Sequence, residues 1–255
     1  MNQKKISEIK EELKKCLIEN IDEFIKEYSL DERSGVVNIV SSAKKKKDKY
    51  EEELDRLVEM EKYENEVINN GYNIIAGVDE VGRGPLAGPV VTAAVILPND
   101  LKIMYINDSK KLSEKKREEI YDIIMEKAIA VSIGMVDNHV IDDINILNAT
   151  HVAMKQAVDN LEVKPEAILV DALEIKDVDT YQVGIIKGDA KSKSIAAASI
   201  IAKVTRDRMM KEMDKKYPGY DFASNKGYGA AKHIEGLKRL GATEIHRKSF
   251  ISNII

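Results

Sequence analysis

GVDEVGRGPLAGPVVTAAVIL, residues 77–97, decides the fold class. An apolar run ends in Asp79 and Glu80, the turn Gly82-Arg83-Gly84 follows, and Pro85, Pro89 and the β-branched run from Val90 to Val95 open a second strand. Two strands joined with no room for a helix can pair as a hairpin. Gly82, Gly84 and Gly88 invite comparison with a dinucleotide-binding loop. Such a loop must open a helix whose N-terminus holds the pyrophosphate, and the glycine spacing here is wrong by one. A nicotinamide cofactor is excluded on both counts. A glycine-arginine-glycine turn instead lets backbone groups approach a sugar-phosphate closely while the arginine reaches a phosphate.

Outward from this hairpin, short β-branched runs alternate with helical spacing. The pattern predicts strands over 73–79, 89–97, 130–136, 167–171 and 181–186, and helices over 113–127, 139–161, 192–216 and 230–240. Ser113 is placed to cap the first of these helices, Pro218 lies beyond the third, and Gly241 ends the last. A hairpin, a third strand and then strands separated by helices describe an α/β fold with one mixed sheet covered by helices.

Three of the five strands end in acids. Asp79 and Glu80 close the first, Asp171 closes AILVD, and Asp189 follows YQVGIIKGD. Adjacent strand residues point to opposite faces, so Glu80 joins the others by turning inward at the glycine loop. A single strand-end acid is ordinarily just solvated. Four converging in one sheet would repel one another unless divalent cations neutralised them, and an all-oxygen donor set suits Mg²⁺ or Mn²⁺.

The 255 residues carry 40 Lys plus Arg against 44 Asp plus Glu, a net charge of −4, so any nucleic-acid site must be a local patch. A single cysteine, Cys16, excludes an intramolecular disulfide framework and a cysteine-based zinc cluster. The longest apolar run, 195–202, is too short to span a bilayer, and MNQKKISEIKEELKK turns polar where a signal peptide would be apolar. A soluble, cytoplasmic, monomeric protein is expected, with no membrane partner. Cys16 and the cluster Met209, Met210 and Met213 read as packing. His233 and His246 read as structural or phosphate-contacting rather than acid–base groups, and His139 and His151 are given no role.

Residues 1–70 have a different texture, with one glycine (Gly35) and no proline. Ile6, Ile9, Leu13, Leu17, Ile21 and Phe24 share one helical face, and a second helical pattern runs from about 37 to 67 beyond the break at SLDERSG. The segment holds 14 of the basic and 18 of the acidic residues, leaving a neutral remainder. A helical N-terminal extension, 1–70, therefore precedes a catalytic domain, 71–255. The run Lys44 to Lys47 is either a solvated helix face or a phosphate-contacting arm.

Five stretches in order, GVDEVGRGPLAGPVVTAAVIL, NDSKKLSEKKRE (107–118), ILVDAL (168–173), KGDAKSKSIAAASIIAKVTRDR (187–208) and NKGYGAAKH (225–233), resemble bacterial ribonuclease HII, the type 2 RNase H family. The stretches run from Gly77 to His233, and the resemblance extends over residues 72 to about 248. The related ribonuclease HIII typically has Gly-Lys-Gly where this chain has Gly82-Arg83-Gly84. The long N-terminal segment resembles that of longer family members. The resemblance implies an RNase H-like mixed five-stranded sheet flanked by helices, with a helical C-terminal part and a helical N-terminal extension. It implies that Asp79, Glu80, Asp171 and Asp189 bind two Mn²⁺ or Mg²⁺ ions, one activating water and one stabilising the leaving 3′-oxygen. The implied substrates are RNA–DNA hybrids and duplex DNA containing ribonucleotides, cut 5′ of the ribonucleotide to leave 3′-OH and 5′-phosphate. Gly82, Arg83 and Gly84 would read the 2′-OH, Tyr228 would stack on the next deoxyribose, and Lys110, Lys111 and Lys187 would contact phosphates. In GYGAAKH the chain departs from the threonine or proline that many relatives have near Gly229 or Ala230, which bears on loop shape.

Overall fold

A computed structural model describes residues 4–255, whose contacts divide the chain after Glu59. In the first unit the predicted helical face breaks at Cys16 and Leu17. α1 (Ile6–Lys15) is followed by one 3₁₀ turn, Ile18–Asn20, and by α2 (Ile21–Tyr28), and both pack on α3 (Ser34–Glu59). Folding back brings Ile9, Phe24, Val36 and Ile39 into one core, which covers most of the predicted apolar face but leaves Ile6 and Leu17 exposed.

The second unit opens with α4 (Lys62–Asn69), a segment whose spacing continues the preceding helix in sequence. No glycine or proline marks the break at Met60 and Glu61; tertiary structure makes it. The Met60 carbonyl accepts the Lys193 N–H at 3.0 Å, and Val67 packs with Ile75, Ala167 and Ile195. This helix, inside the predicted extension, belongs by its contacts to the second unit.

β1 (Ile75–Val81) and β2 (Val90–Ile96) form the predicted antiparallel pair. α5 (Glu114–Lys127) leads to β3 (Ala130–Val136), which extends the sheet antiparallel from β2. α6 (Asn138–Asp159) leads to β4 (Ala167–Asp171), and β5 (Tyr181–Ile185) follows, both parallel to β1 in the order β3-β2-β1-β4-β5. The Ser113 hydroxyl caps α5 by accepting the Lys116 N–H, as predicted. One departure lies inside α6, where Asn145 takes a positive φ of 65° and its side chain accepts the N–H groups of Leu147 and Asn148, recapping the second half.

α6 covers one sheet face, where Met154 and Leu161 meet Val78, Ile168 and Val170. α7 (Lys193–Lys216) covers the other. Both helices come close enough that a Cβ on Gly77 would strike the Ser194 carbonyl, and one on Gly134 the Ala153 carbonyl. α8 (Phe222–Asn225), α9 (Ala231–Leu240) and α10 (Lys248–Ile251) make the helical C-terminal part around Phe222, Leu237 and Ile251. No helix among the described residues is long and apolar enough to cross a membrane.

Candidate active site

The parallel register sets the first two acids side by side. Val78 pairs with Val170, so Asp79 and Asp171 come next at the same level on neighbouring strands and share a face. That face is covered by α7, whose Ser199 hydroxyl hydrogen-bonds the Ser109 hydroxyl at 2.9 Å and acts to lower the Asp79 pKa. β1 continues to Val81, two residues past its predicted end, and holds Glu80 within the ladder opposite Thr92. Glu80 stays on its own face, where Arg83 Nη1 lies 3.3 Å from Oε1; its other oxygen, Oε2, is buried without a partner. Asp189 sits on a 3₁₀ turn, Gly188–Ala190, between β5 and α7. The Gly188 N–H donates to Asp171 Oδ1 at 2.7 Å, which ties this turn to the end of β4.

The charges of these acids act on one another. Burial, then the charge of Glu80, then Asp171 and Asp189 push the Asp79 carboxyl well above the ordinary range, against the opposing Ser199 hydroxyl. Burial also raises Glu80, with Arg83 opposing and Asp171 adding to the rise. Asp189 is raised by burial and then by Asp108 and Asp171, with Lys110 opposing. Asp108 is thus a fifth acid at the site, one that sequence reasoning missed although it lies within NDSKKLSEKKRE. For Lys110, burial works against the charge, but Asp108, Asp79 and Asp189 prevail and raise its pKa. Lys110 therefore joins the site. All three lysines, Lys110, Lys111 and Lys187, are exposed, and none of their side chains is bonded to the acids among the described residues; Lys110 differs in standing close enough for their charges to raise its pKa. Nor do three or more Asp, Glu, His or Cys side chains close around one point as a metal cage among those residues.

The glycine turn is held from behind by two fully buried arginines. Arg247 donates to the carbonyls of Gly82, Arg83 and Gly88, and Arg206 to those of Ala87, Pro89 and Lys226. Gly82 has φ +93°, and a Cβ there would meet the Arg206 side chain and the Pro89 carbonyl. Tyr228 is 41% exposed, and its Cε1 stands 3.8 Å from where a Cβ on Gly84 would be. The structure therefore sets Asp79 beside Asp171, ties the Asp189 turn to Asp171, leaves Glu80 on its own face with Arg83, and sets Tyr228 against the Gly82-Arg83-Gly84 turn. Neither buried arginine was legible in the sequence, where KVTRDR and HRKS look like solvated polar stretches.

Residues 76–253 match the family model Ribonuclease HII, and residues 5–67 match Ribonuclease HII N-terminal domain. The chain is 59% identical over 220 residues to a ribonuclease HII of Acetivibrio thermocellus, covering 86% of each chain. It is 51% identical over 245 residues to that of Listeria monocytogenes serotype 4a, covering 96% of this chain and 93% of the relative. A solved PCNA:RNase HII complex from Archaeoglobus fulgidus superposes with TM-score 0.59 at 29% identity, over 68% of this chain and 93% of that one. The chain belongs to the ribonuclease HII family of metal-dependent ribonucleases H, hydrolases that act on RNA–DNA hybrids.

Proposed function

We propose that, besides cutting the RNA strand of hybrids, this chain incises duplex DNA on the 5′ side of an embedded ribonucleotide, leaving 3′-OH and 5′-phosphate ends. Two divalent cations, Mn²⁺ or Mg²⁺, would be held by Asp79, Glu80, Asp171 and Asp189. The convergence of these acids at strand ends, with Asp79 level with Asp171, the Asp189 turn bonded to Asp171, and the charges of Glu80, Asp171 and Asp189 raising the Asp79 pKa, carries the proposal. The donor set is all oxygen, and Glu80 Oε2 is buried and unpartnered, so the residues fit a hard cation that would relieve their repulsion. A closed cage is not required, because Mg²⁺ sites commonly combine one or two carboxylates with waters and substrate phosphates. When bound, the cations lower the pKa of the attacking water and neutralise charge on the departing 3′-oxygen.

The chain's own groups supply position and selectivity. The Gly82-Arg83-Gly84 backbone, pinned by Arg247, offers N–H and C=O groups to a 2′-OH, which only the ribonucleotide has. Tyr228 beside Gly84 would lie on the following deoxyribose, and Lys110 would meet a phosphate. Cleavage mapping on a duplex with one ribonucleotide, with and without Mn²⁺ or Mg²⁺, tests this. One metal-dependent cut 5′ of the ribonucleotide is expected; a cut on its 3′ side, or an undiminished rate in EDTA, would overturn the proposal.

A further inference from the structure

Two histidines that the chemistry does not use lie buried behind the tyrosine. His233 on α9 is 0% exposed and His246 is 2% exposed, so neither meets substrate. Their Nε2 atoms are 3.0 Å apart. His233 Nδ1 is 2.8 Å from the Tyr228 carbonyl oxygen, and His246 Nδ1 is 2.9 Å from the Thr243 backbone nitrogen and 2.8 Å from the Thr243 hydroxyl, which can turn to suit either tautomer. Tyr220 and Phe222 pack on both rings.

These contacts fix every proton. A backbone N–H can only donate, so His246 Nδ1 accepts from Thr243, and its proton must sit on Nε2. That proton points at His233 Nε2, which must accept, leaving the His233 proton on Nδ1 to donate to the Tyr228 carbonyl. An added proton on either ring would set two donors face to face. Burial pushes both rings down, His246 to about 4, so both are neutral near pH 7.

The same atoms tie the tyrosine loop to the glycine turn. Leu86 N–H donates to the Gly227 carbonyl at 2.8 Å, and Arg206 to that of Lys226. Arg247, next in sequence to His246, holds the carbonyls of Gly82 and Arg83. We infer that His233 and His246 are positioning residues, a neutral one-directional relay that holds the Tyr228 carbonyl and so keeps its ring in register with Gly84. This inference rests on the proposal that Tyr228 reads the ribonucleotide–deoxyribonucleotide junction.

Imidazole ¹⁵N NMR on the full chain at pH 7 tests the relay directly. His246 should carry its proton on Nε2 and His233 on Nδ1; the opposite tautomers, or a charged ring, would overturn it. Two near-isosteric variants then separate positioning from packing. His233→Asn places an amide donor near the old Nδ1, whereas His233→Gln keeps the contact to His246 and loses the donor to Tyr228. His233→Gln should cost about tenfold in kcat/KM on a single embedded ribonucleotide, roughly the loss of one buried hydrogen bond, and far less on a long hybrid. His233→Asn should keep most of that selectivity, and Ca²⁺ affinity should be unchanged in both. Equal losses on the two substrates for His233→Gln, with a selective loss for Tyr228→Ala, would overturn the inference. Were Tyr228→Ala itself to lower both rates equally, the tyrosine's assignment would fall, and the tautomers would still decide whether the relay exists.

Discussion

A carboxylate buried beside other carboxylates is costly twice, once for desolvation and once for repulsion, and Asp79, Glu80 and Asp189 carry both costs. Their raised pKa values have a definite sign in stability. Between the ordinary value near 4 and the raised one, the folded state binds more protons than the unfolded, so stability falls as pH rises. Without metal, raising the pH from 5 to 7 should therefore lower the Tm of the wild type more than that of Asp79→Asn. The histidine pair, with lowered pKa values, acts in the opposite sense and cancels in the comparison. Mn²⁺ should abolish the difference; parallel Tm–pH curves in EDTA would contradict it. Asp171→Asn should remove several kcal/mol of transition-state stabilisation, about a thousandfold in rate, while the metal-free Tm holds or rises. A substantial cleavage rate at saturating Mn²⁺ would contradict that role. The four acids stand out in the sequence because Asp79, Glu80 and Asp171 end apolar runs and Asp189 closely follows one. Ser199, Asp108, Arg206 and Arg247 were not, because their partners lie far away in sequence; Arg247 and Gly82 are 165 residues apart.

Among the elements, strands and helices were legible within a residue or two, since apolar alternation and the cap at Ser113 are local signals. The break between α3 and α4 had no such signal. It exists because Glu64, 3% exposed, must reach the start of α7, where Oε1 accepts the Ser192 hydroxyl at 2.6 Å and the Ser194 N–H at 2.9 Å. An anion there also meets the positive end of the α7 dipole. Glu64→Ala would leave Ser192 and the Ser194 N–H short of a partner at the helix that carries Ser199. A loss of about 2–4 kcal/mol is expected, read as a lower denaturation midpoint at unchanged slope. A loss below about 0.5 kcal/mol, the scale of an ordinary surface substitution, would mean that Glu64 is not a cap.

At the scale of the whole chain, the two units divide the labour differently from the sequence boundary at residue 70. Removing residues 1–69 would take away Glu64 and Val67 along with the first unit, leaving Ile75, Ala167 and Ile195 without their cover. Removing residues 1–59 would not. The chain beginning at Met60 should therefore keep metal affinity and cleavage, and the chain beginning at Asn70 should melt markedly lower. The shorter deletion also isolates what the first unit contributes to binding. It has a core of its own, built on Ile9, Phe24, Val36 and Ile39, which is consistent with an arm that does not need the second unit to bury most of its apolar face. Of the four clustered lysines, Lys47 pairs with Asp22 at 2.7 Å and Lys46 donates to the Cys16 carbonyl at 2.8 Å, while Lys44 and Lys45 are exposed. Each neutralised phosphate contributes about 0.9 to the slope of log affinity against log salt. Two lysines would then account for a change of about 1.8, and all four for about 3.6. Affinities for a hybrid duplex at several salt concentrations, with Ca²⁺ in place of the catalytic metal, should show the smaller change between the full chain and the chain beginning at Met60. A difference near 3.6 would mean that duplex binding pulls Lys46 and Lys47 from their partners. An unchanged slope with a lower Tm would make the unit a structural cap instead.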